Sequence, residues 1–261
     1  MPLTLSHAAA VLPLRRRLPL AALVVGAMVP DLPYYVPLPV SAGSTHGWQG
    51  AVLVDLPAGA ALLVLFELVL RTPLTALAPE GLRARLPGPA PSAPSGPAPS
   101  GRAPYGRGVT VAAALLAGVA THLLWDAFTH VDGFAVVHWQ AMRVPVAGVH
   151  RVFNVVMYVS SLGGLAVLAG RIATWYRRAP VRPGRWPAAA PRERALVLVA
   201  ATAAATAGAV LGSGGAPSLY DLVRSVLLGA MDGCAAILAC HAIVWHALGW
   251  SRRARGHDVP S

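Results

Sequence analysis

Residues 109–131, VTVAAALLAGVATHLLWDAFTHV, decide the architecture. From Val109 to Ala120 no side chain ionises, and the whole stretch, at about 1.5 Å per helical residue, is long enough to cross the roughly 30 Å of a bilayer core. Its far end is different. His122, Asp126 and His130 recur every four residues. At about 100° per residue the three fall within an arc of about 80°, so one helix face carries two imidazoles and a carboxylate in a column.

Working outward, comparable apolar runs cover residues 51–70, 152–170, 194–212 and 225–249, each near the roughly 20 residues that a spanning helix needs. The N-terminal region is less regular. Leu18–Val29 is short for a crossing, ends at Pro30-Asp31, and follows a second apolar run, Leu3–Leu14, and the cluster Arg15-Arg16-Arg17. It reads either as one crossing with an amphipathic lead-in or as a hairpin of two short helices. A cleaved leader built on the same cluster lacks a clean small-x-small site. The expected fold is therefore all-α, a polytopic transmembrane bundle of about six spans, the first either a crossing or a short helical hairpin.

Composition agrees. Of 261 residues 56% are hydrophobic and 12% charged, with a mean hydropathy of +0.58, a balance that a water-soluble domain of this size could not cover. A net charge of +11 would suggest a nucleic-acid partner in a soluble protein, but every basic residue here is Arg and they cluster between apolar runs. That is an orientation signal, and no nucleic-acid partner is expected. The gaps at 71–108, 171–194 and 250–261 carry five, seven and three Arg, whereas those at 30–50, 132–151 and 213–224 carry none, two and one. The first group is expected in the cytoplasm and the second outside, in a multi-pass protein of the cell (inner) membrane with a cytoplasmic C-terminus. Cys234 and Cys240, roughly 9 Å apart along one helix, are too far apart to bridge.

Residues 86–104, LPGPAPSAPSGPAPSGRAP, have nothing to bury and read as a cytoplasmic linker. They separate residues 1–85, with the Pro-Asp and a His-containing outer loop, from residues 105–261, with the His-x-x-x-Asp-x-x-x-His helix. The run 194–212 is so rich in Ala that close helix packing is its expected purpose.

The column on 109–131 is a metal-ligand pattern, since His N and Asp O are donors that zinc or a related divalent ion takes, and ionisable residues at membrane depth are costly and usually functional. The bland reading is a polar helix end at the headgroups. One helix rarely completes a shell. The Arg-derived topology brings Asp31, His46 in Ser44-Thr45-His46-Gly47, and Asp55 to the same face as His122, Asp126 and His130. Singly each has an ordinary account: Asp31 in a turn after Pro30, His46 solvated in its loop, Asp55 capping a helix before Pro57. His7 joins this set only if the N-terminal region is a hairpin. Asp132, His138 and His150 are weaker candidates in the following loop. Asp232 and His241 in the last span would suit a transport path, or else His241 hydrogen-bonds a neighbouring helix.

MPLTLSHAAAVLPLRRR, VVGAMVPDLPYY, the His46 loop and LLAGVATHLLWDAFTH together resemble the bacterial membrane proteins grouped as domain of unknown function 4184. That group in turn distantly resembles inner-membrane proteins described by prediction as membrane-bound metal-dependent hydrolases. The resemblance covers most of the chain and implies metal-site positions at His7, Asp31, His46, His122, Asp126 and His130. Where the remote pattern has a His-Arg stretch, this chain has Thr45-His46-Gly47.

The leading expectation is a metal-dependent hydrolase with its site at the outer face, zinc as the ion, and Asp55 or Asp31 as the carboxylate that exchanges protons. A lipid-like or amphiphilic substrate from the bilayer would suit that location. The rivals are a non-catalytic protein whose His and Asp residues hold a structural metal or a hydrogen-bonded cluster, a transporter using Asp232 and His241, and an interaction scaffold. The orientation has its own test in a background lacking Cys234 and Cys240. His46→Cys is expected to react with an impermeant thiol reagent in intact cells and Ser95→Cys only after permeabilisation, and the reverse pattern overturns the assignment.

Overall fold

The computed structural model of the protein describes residues 4–36, 39–88, 104–182, 184 and 186–256. Of the expected linker, residues 89–103 lie outside the described residues. Among the described residues the main helices are α1 (Thr4–His7), α2 (Leu20–Met28), α3 (Trp48–Leu77), α4 (Pro104–Thr129), α5 (Val152–Arg178), α6 (Pro191–Gly212) and α7 (Leu219–Gly256). Among the described residues five helices are long and apolar enough to cross a membrane, and the shorter apolar segment Leu20–Tyr34 makes about six. Each of the five expected runs forms, and the protein is a multi-pass membrane protein.

The chain forms two compact units, one of residues 1–63 and 93–178, the other of residues 64–92 and 179–261. In the first, the N-terminal region takes the hairpin form. After α1, a 3-10 turn over Leu12–Arg16 reverses the chain into α2, and the Thr4 hydroxyl donates to Asp31 Oδ2 at 2.6 Å. Two short helices rather than one crossing follow from Pro13 and Pro19, which each lack an N–H for a continuous ladder. α2 packs on α4 through glycines. A Cβ at Gly26 would strike the Leu115 backbone and one at Gly118 the backbone of α2 at Leu23, so the two helices touch main chain to main chain, as small residues allow in lipid. Val11, Ala22, Leu23, Ala27, Ala114 and Leu115 are fully buried between these elements. α1 reaches α5 where Ser6 lies against Gly164. Val136, Met142 and Phe153 form a smaller core under the loop joining α4 to α5, which includes a two-stranded hairpin, β1 (Pro145–Ala147) and β2 (His150–Arg151).

α3 widens into π-helical turns at Ala51–Asp55 and Phe66–Leu70. Pro57 and Pro73 follow them, and the wider turns absorb prolines that can neither donate to the ladder nor sit against the preceding carbonyl. In the second unit the Val69 carbonyl, whose helical partner position is Pro73, instead accepts from His246 Nε2 at 2.9 Å. There α6 and α7 form a close pair. A Cβ at Gly208 would meet Gly229, and one at Gly233 would meet Ala204, which fulfils the expectation of close packing by the Ala-rich run. Glu67 pairs with Arg71 at 2.5 Å, and the Arg71 guanidinium lies over Trp186, whose indole N–H donates to the Pro87 carbonyl at 2.9 Å.

Because the glycine contacts are to backbone, which cannot move aside like a side-chain tip, Gly26→Leu and Gly229→Leu should each destabilise the protein by about 3 kcal/mol. Gly163→Leu, with nothing within 4 Å of its Cβ, should leave unfolding in denaturant unchanged. Equal midpoints for all three variants would refute the close packing.

Candidate metal centre

The centre is assembled from four separate segments of the first unit. α1 contributes His7 from its last turn. The 3-10 segment Val29–Tyr34 contributes Asp31. The short helix Ala42–Thr45 sets His46 immediately after it, and α4 contributes His122, Asp126 and His130 from its final turns and the residue beyond. His7, Asp31, His122 and Asp126 are buried, so these charges and dipoles have no water to turn to and must satisfy one another.

They meet around Asp126. Its Oδ2 lies 3.1 Å from His122 Nε2, 3.0 Å from His130 Nδ1 and 3.4 Å from His46 Nε2, and its Oδ1 lies 3.5 Å from His7 Nε2. Asp31 Oδ1 is 3.8 Å from His122 Nε2 and 3.7 Å from His46 Nε2. The His7 and His122 rings stack with centroids 4.0 Å apart. All six positions carried over by motif thus converge, including His7, which the hairpin brings in, and His46, whose match to the remote pattern is loosest.

Neighbours fix how these groups point. His122 Nδ1 is 2.8 Å from the Ala27 carbonyl, which can only accept, so Nδ1 carries the hydrogen and a neutral ring turns the lone pair of Nε2 inward. The Thr45 hydroxyl donates to the Pro30 carbonyl at 2.7 Å. With its one hydrogen so used, it accepts from His46 Nδ1 at 3.1 Å, and His46 also presents Nε2. The two Nε2 atoms are 3.3 Å apart. Asp31 has one oxygen steadied by the Thr4 hydroxyl, the Thr129 hydroxyl is shared between the Trp125 carbonyl at 3.2 Å and Asp126 Oδ1 at 3.5 Å, and Asp31 Oδ1 and Asp126 Oδ2 have no hydrogen bond.

Such a set suits a divalent cation. Bonds of about 2.0–2.1 Å in a tetrahedral shell put neighbouring donor atoms roughly 3.4 Å apart. His122 Nε2, His46 Nε2, Asp126 Oδ2 and Asp31 Oδ1 are separated by 3.1 to 3.8 Å in the pairs above. Among the described residues two groups, His7 with Asp31 and His122, and His46 with His122 and Asp126, hold ligand atoms close enough for an ion. The buried His/Asp cluster could therefore bind a metal.

Asp55 stands beside this set on the π-helical turn of α3, buried, with both carboxylate oxygens lacking a hydrogen bond and near enough to interact electrostatically with His46 and His122. The loop candidates fall elsewhere: His138 stacks on Phe134 and His150 packs edge-on to Tyr158. In the second unit His241 is buried with Nδ1 3.9 Å from Glu193 Oε1, and Asp232 is exposed on α7. Thr4, Thr45 and Thr129, which contact Asp31, His46 and Asp126, were not singled out from the sequence. Their signal is spacing, since Thr4 precedes His7 and Asp126 precedes Thr129 by three residues, and Thr45 adjoins His46.

No curated protein and no solved structure matches the chain. The family model described as a domain of unknown function, DUF4184, matches residues 1–245, and with nearly its whole length covered the chain belongs to that family.

Proposed function

We propose that the protein is a membrane-embedded, metal-dependent hydrolase that holds a divalent ion, zinc by the chemistry of its donors, in the His/Asp centre and acts on a lipid-like or amphiphilic substrate. The observation that carries this reading is the convergence of His46 Nε2, His122 Nε2 and Asp126 Oδ2, each 3.1 to 3.4 Å from the other two and so close enough to share one ion. The carboxylates of Asp126 and Asp31 beside the two imidazoles supply the negative charge that a cation would neutralise.

A divalent ion held by these residues would supply Lewis acidity and acidify a bound water. The chain's own residues do the remainder. His7, Asp31, His46, His122, Asp126 and His130 provide the donors, more than the three or four that one ion takes from protein, so some are left to position water and substrate. Asp55 is the proton acceptor: it is buried, has no hydrogen bond of its own, and lies beside the ligands. Asp55 then returns that proton to the leaving group; Asp31, held at one oxygen by Thr4, is the alternative carboxylate for the same exchange. The apolar helices around the centre exclude bulk water, which strengthens each of these interactions. The outward-facing orientation in the inner membrane derived from Arg distribution belongs to the same proposal.

The test is a screen of the purified protein in detergent against fluorogenic ester and phosphoester lipids, with and without chelator. Chelation should abolish turnover, and Asp55→Asn should lower kcat by about 10²-fold to 10⁴-fold while metal content is unchanged. Turnover that survives chelation contradicts the metal-dependent reading, and an Asp55→Asn protein with full kcat removes Asp55 as the base. A tightly bound ion with no turnover on any substrate would favour a structural metal instead.

A further inference from the structure

The tip of the N-terminal hairpin lies at the end of the first unit away from the His/Asp centre. In the helix pair α2 and α4, Gly26 lies against Leu115 and Asp31 stands beside His122, so the two helices run in the same direction and keep their register. Nine residues before Gly26 is Arg17, and eight before Leu115 is Arg107, so the tip, Arg15-Arg16-Arg17, stands level with the first turn of α4. Leu14 and Leu18, which flank the three arginines, pack on the same buried core as Val111 of α4, and that contact fixes the tip there. From Arg107 to Thr129, at about 1.5 Å per residue, α4 covers roughly 33 Å, close to the thickness of a bilayer core. With the His/Asp centre at one membrane surface, Arg15, Arg16, Arg17 and Arg107 therefore reach the headgroups of the other.

These four charges have nothing of their own unit to neutralise them. All four side chains are exposed, and among the described residues none of them has an ion pair or a hydrogen bond. The acidic residues of the unit are Asp31, Asp55, Asp126 and Asp132. The first three stand in or beside the His/Asp centre and the fourth in the loop beyond α4, all at the opposite end. Four guanidinium groups held together repel one another unless anions join them. A guanidinium pairs with two oxygens of a phosphate at once, and basic groups clustered where a spanning helix leaves the bilayer attract anionic lipids.

We propose that Arg15, Arg16, Arg17 and Arg107 form a binding site for the headgroup phosphate of an anionic phospholipid in the leaflet opposite the His/Asp centre. A zwitterionic headgroup brings its own cation beside the phosphate and gains less from the same four charges, so the site discriminates by net charge. Its acyl chains lie along the hairpin and α4, as those of any lipid there do. The site is independent of whether the His/Asp centre hydrolyses anything.

The test is native mass spectrometry of the full-length protein in detergent with phosphatidylglycerol or phosphatidylcholine added. Phosphatidylglycerol should stay bound at concentrations about tenfold below those that phosphatidylcholine needs. Replacing Arg15, Arg16 and Arg17 together by Gln should weaken phosphatidylglycerol binding about a hundredfold, and Arg107→Gln alone about fivefold. Replacing the same three by Lys, which keeps the charge, should retain most of the binding. Arg143→Gln with Arg151→Gln, which removes charge from the loop after α4, should leave it unchanged. Equal binding of the two lipids, or phosphatidylglycerol binding that survives both Gln variants, overturns the site. So does a Lys variant as weak as its Gln counterpart, since a disturbed tip rather than lost charge then explains the result. Displacement of the lipid by millimolar inorganic phosphate would mark a free-phosphate site and overturn the lipid assignment. Metal content measured on the same samples bears on the hydrolase reading alone.

Discussion

A carboxylate placed among apolar helices loses hydration worth several kcal/mol, and only close opposite charge or hydrogen-bond donors offset that loss. Asp126 is in that position. It lies on a spanning helix, buried, with His7, His46, His122 and His130 all within 3.5 Å of its oxygens. Those imidazoles come from three stretches far apart in sequence, so the need to compensate one carboxylate ties the N-terminal hairpin, the loop after α2 and the end of α4 into one arrangement.

The rest of the first unit serves that convergence. Glycines at Gly26 and Gly118 let α2 and α4 meet at backbone distance, which places the Ala27 carbonyl where it receives His122 Nδ1. A bulkier contact at either glycine would lengthen that hydrogen bond and turn the ring. The π-helical turn that accommodates Pro57 also sets Asp55 on the buried side of α3, so a backbone irregularity forced by proline has a chemical consequence. π-helical turns often occur at functional sites for this kind of reason.

The five long spans were legible from hydropathy because lipid demands about 20 apolar residues per helix, whatever the tertiary fold. His122, Asp126 and His130 were legible because helical periodicity alone puts them on one face. From the residues themselves Asp31 and His46 could be placed near them only through the Arg distribution, which speaks of membrane side and not of contact; the family resemblance put them in the same site. Periodicity left His7 undecided between a crossing and a hairpin, and only the resemblance put it in the site; the hairpin is held by the Thr4 to Asp31 hydrogen bond and the packing of Ser6 on Gly164. Nor could the composition show that the second unit draws residues 64–92 together with 179–261, a division set by contacts rather than by chain order.

The central claim is that the His/Asp centre holds a metal ion, and elemental analysis of the full-length protein purified in detergent addresses it directly, beside a His122→Ala, Asp126→Ala double variant. The account predicts about one equivalent of zinc or another divalent ion, lost in the double variant. A protein without metal even after reconstitution, or a double variant that keeps it, would contradict the account.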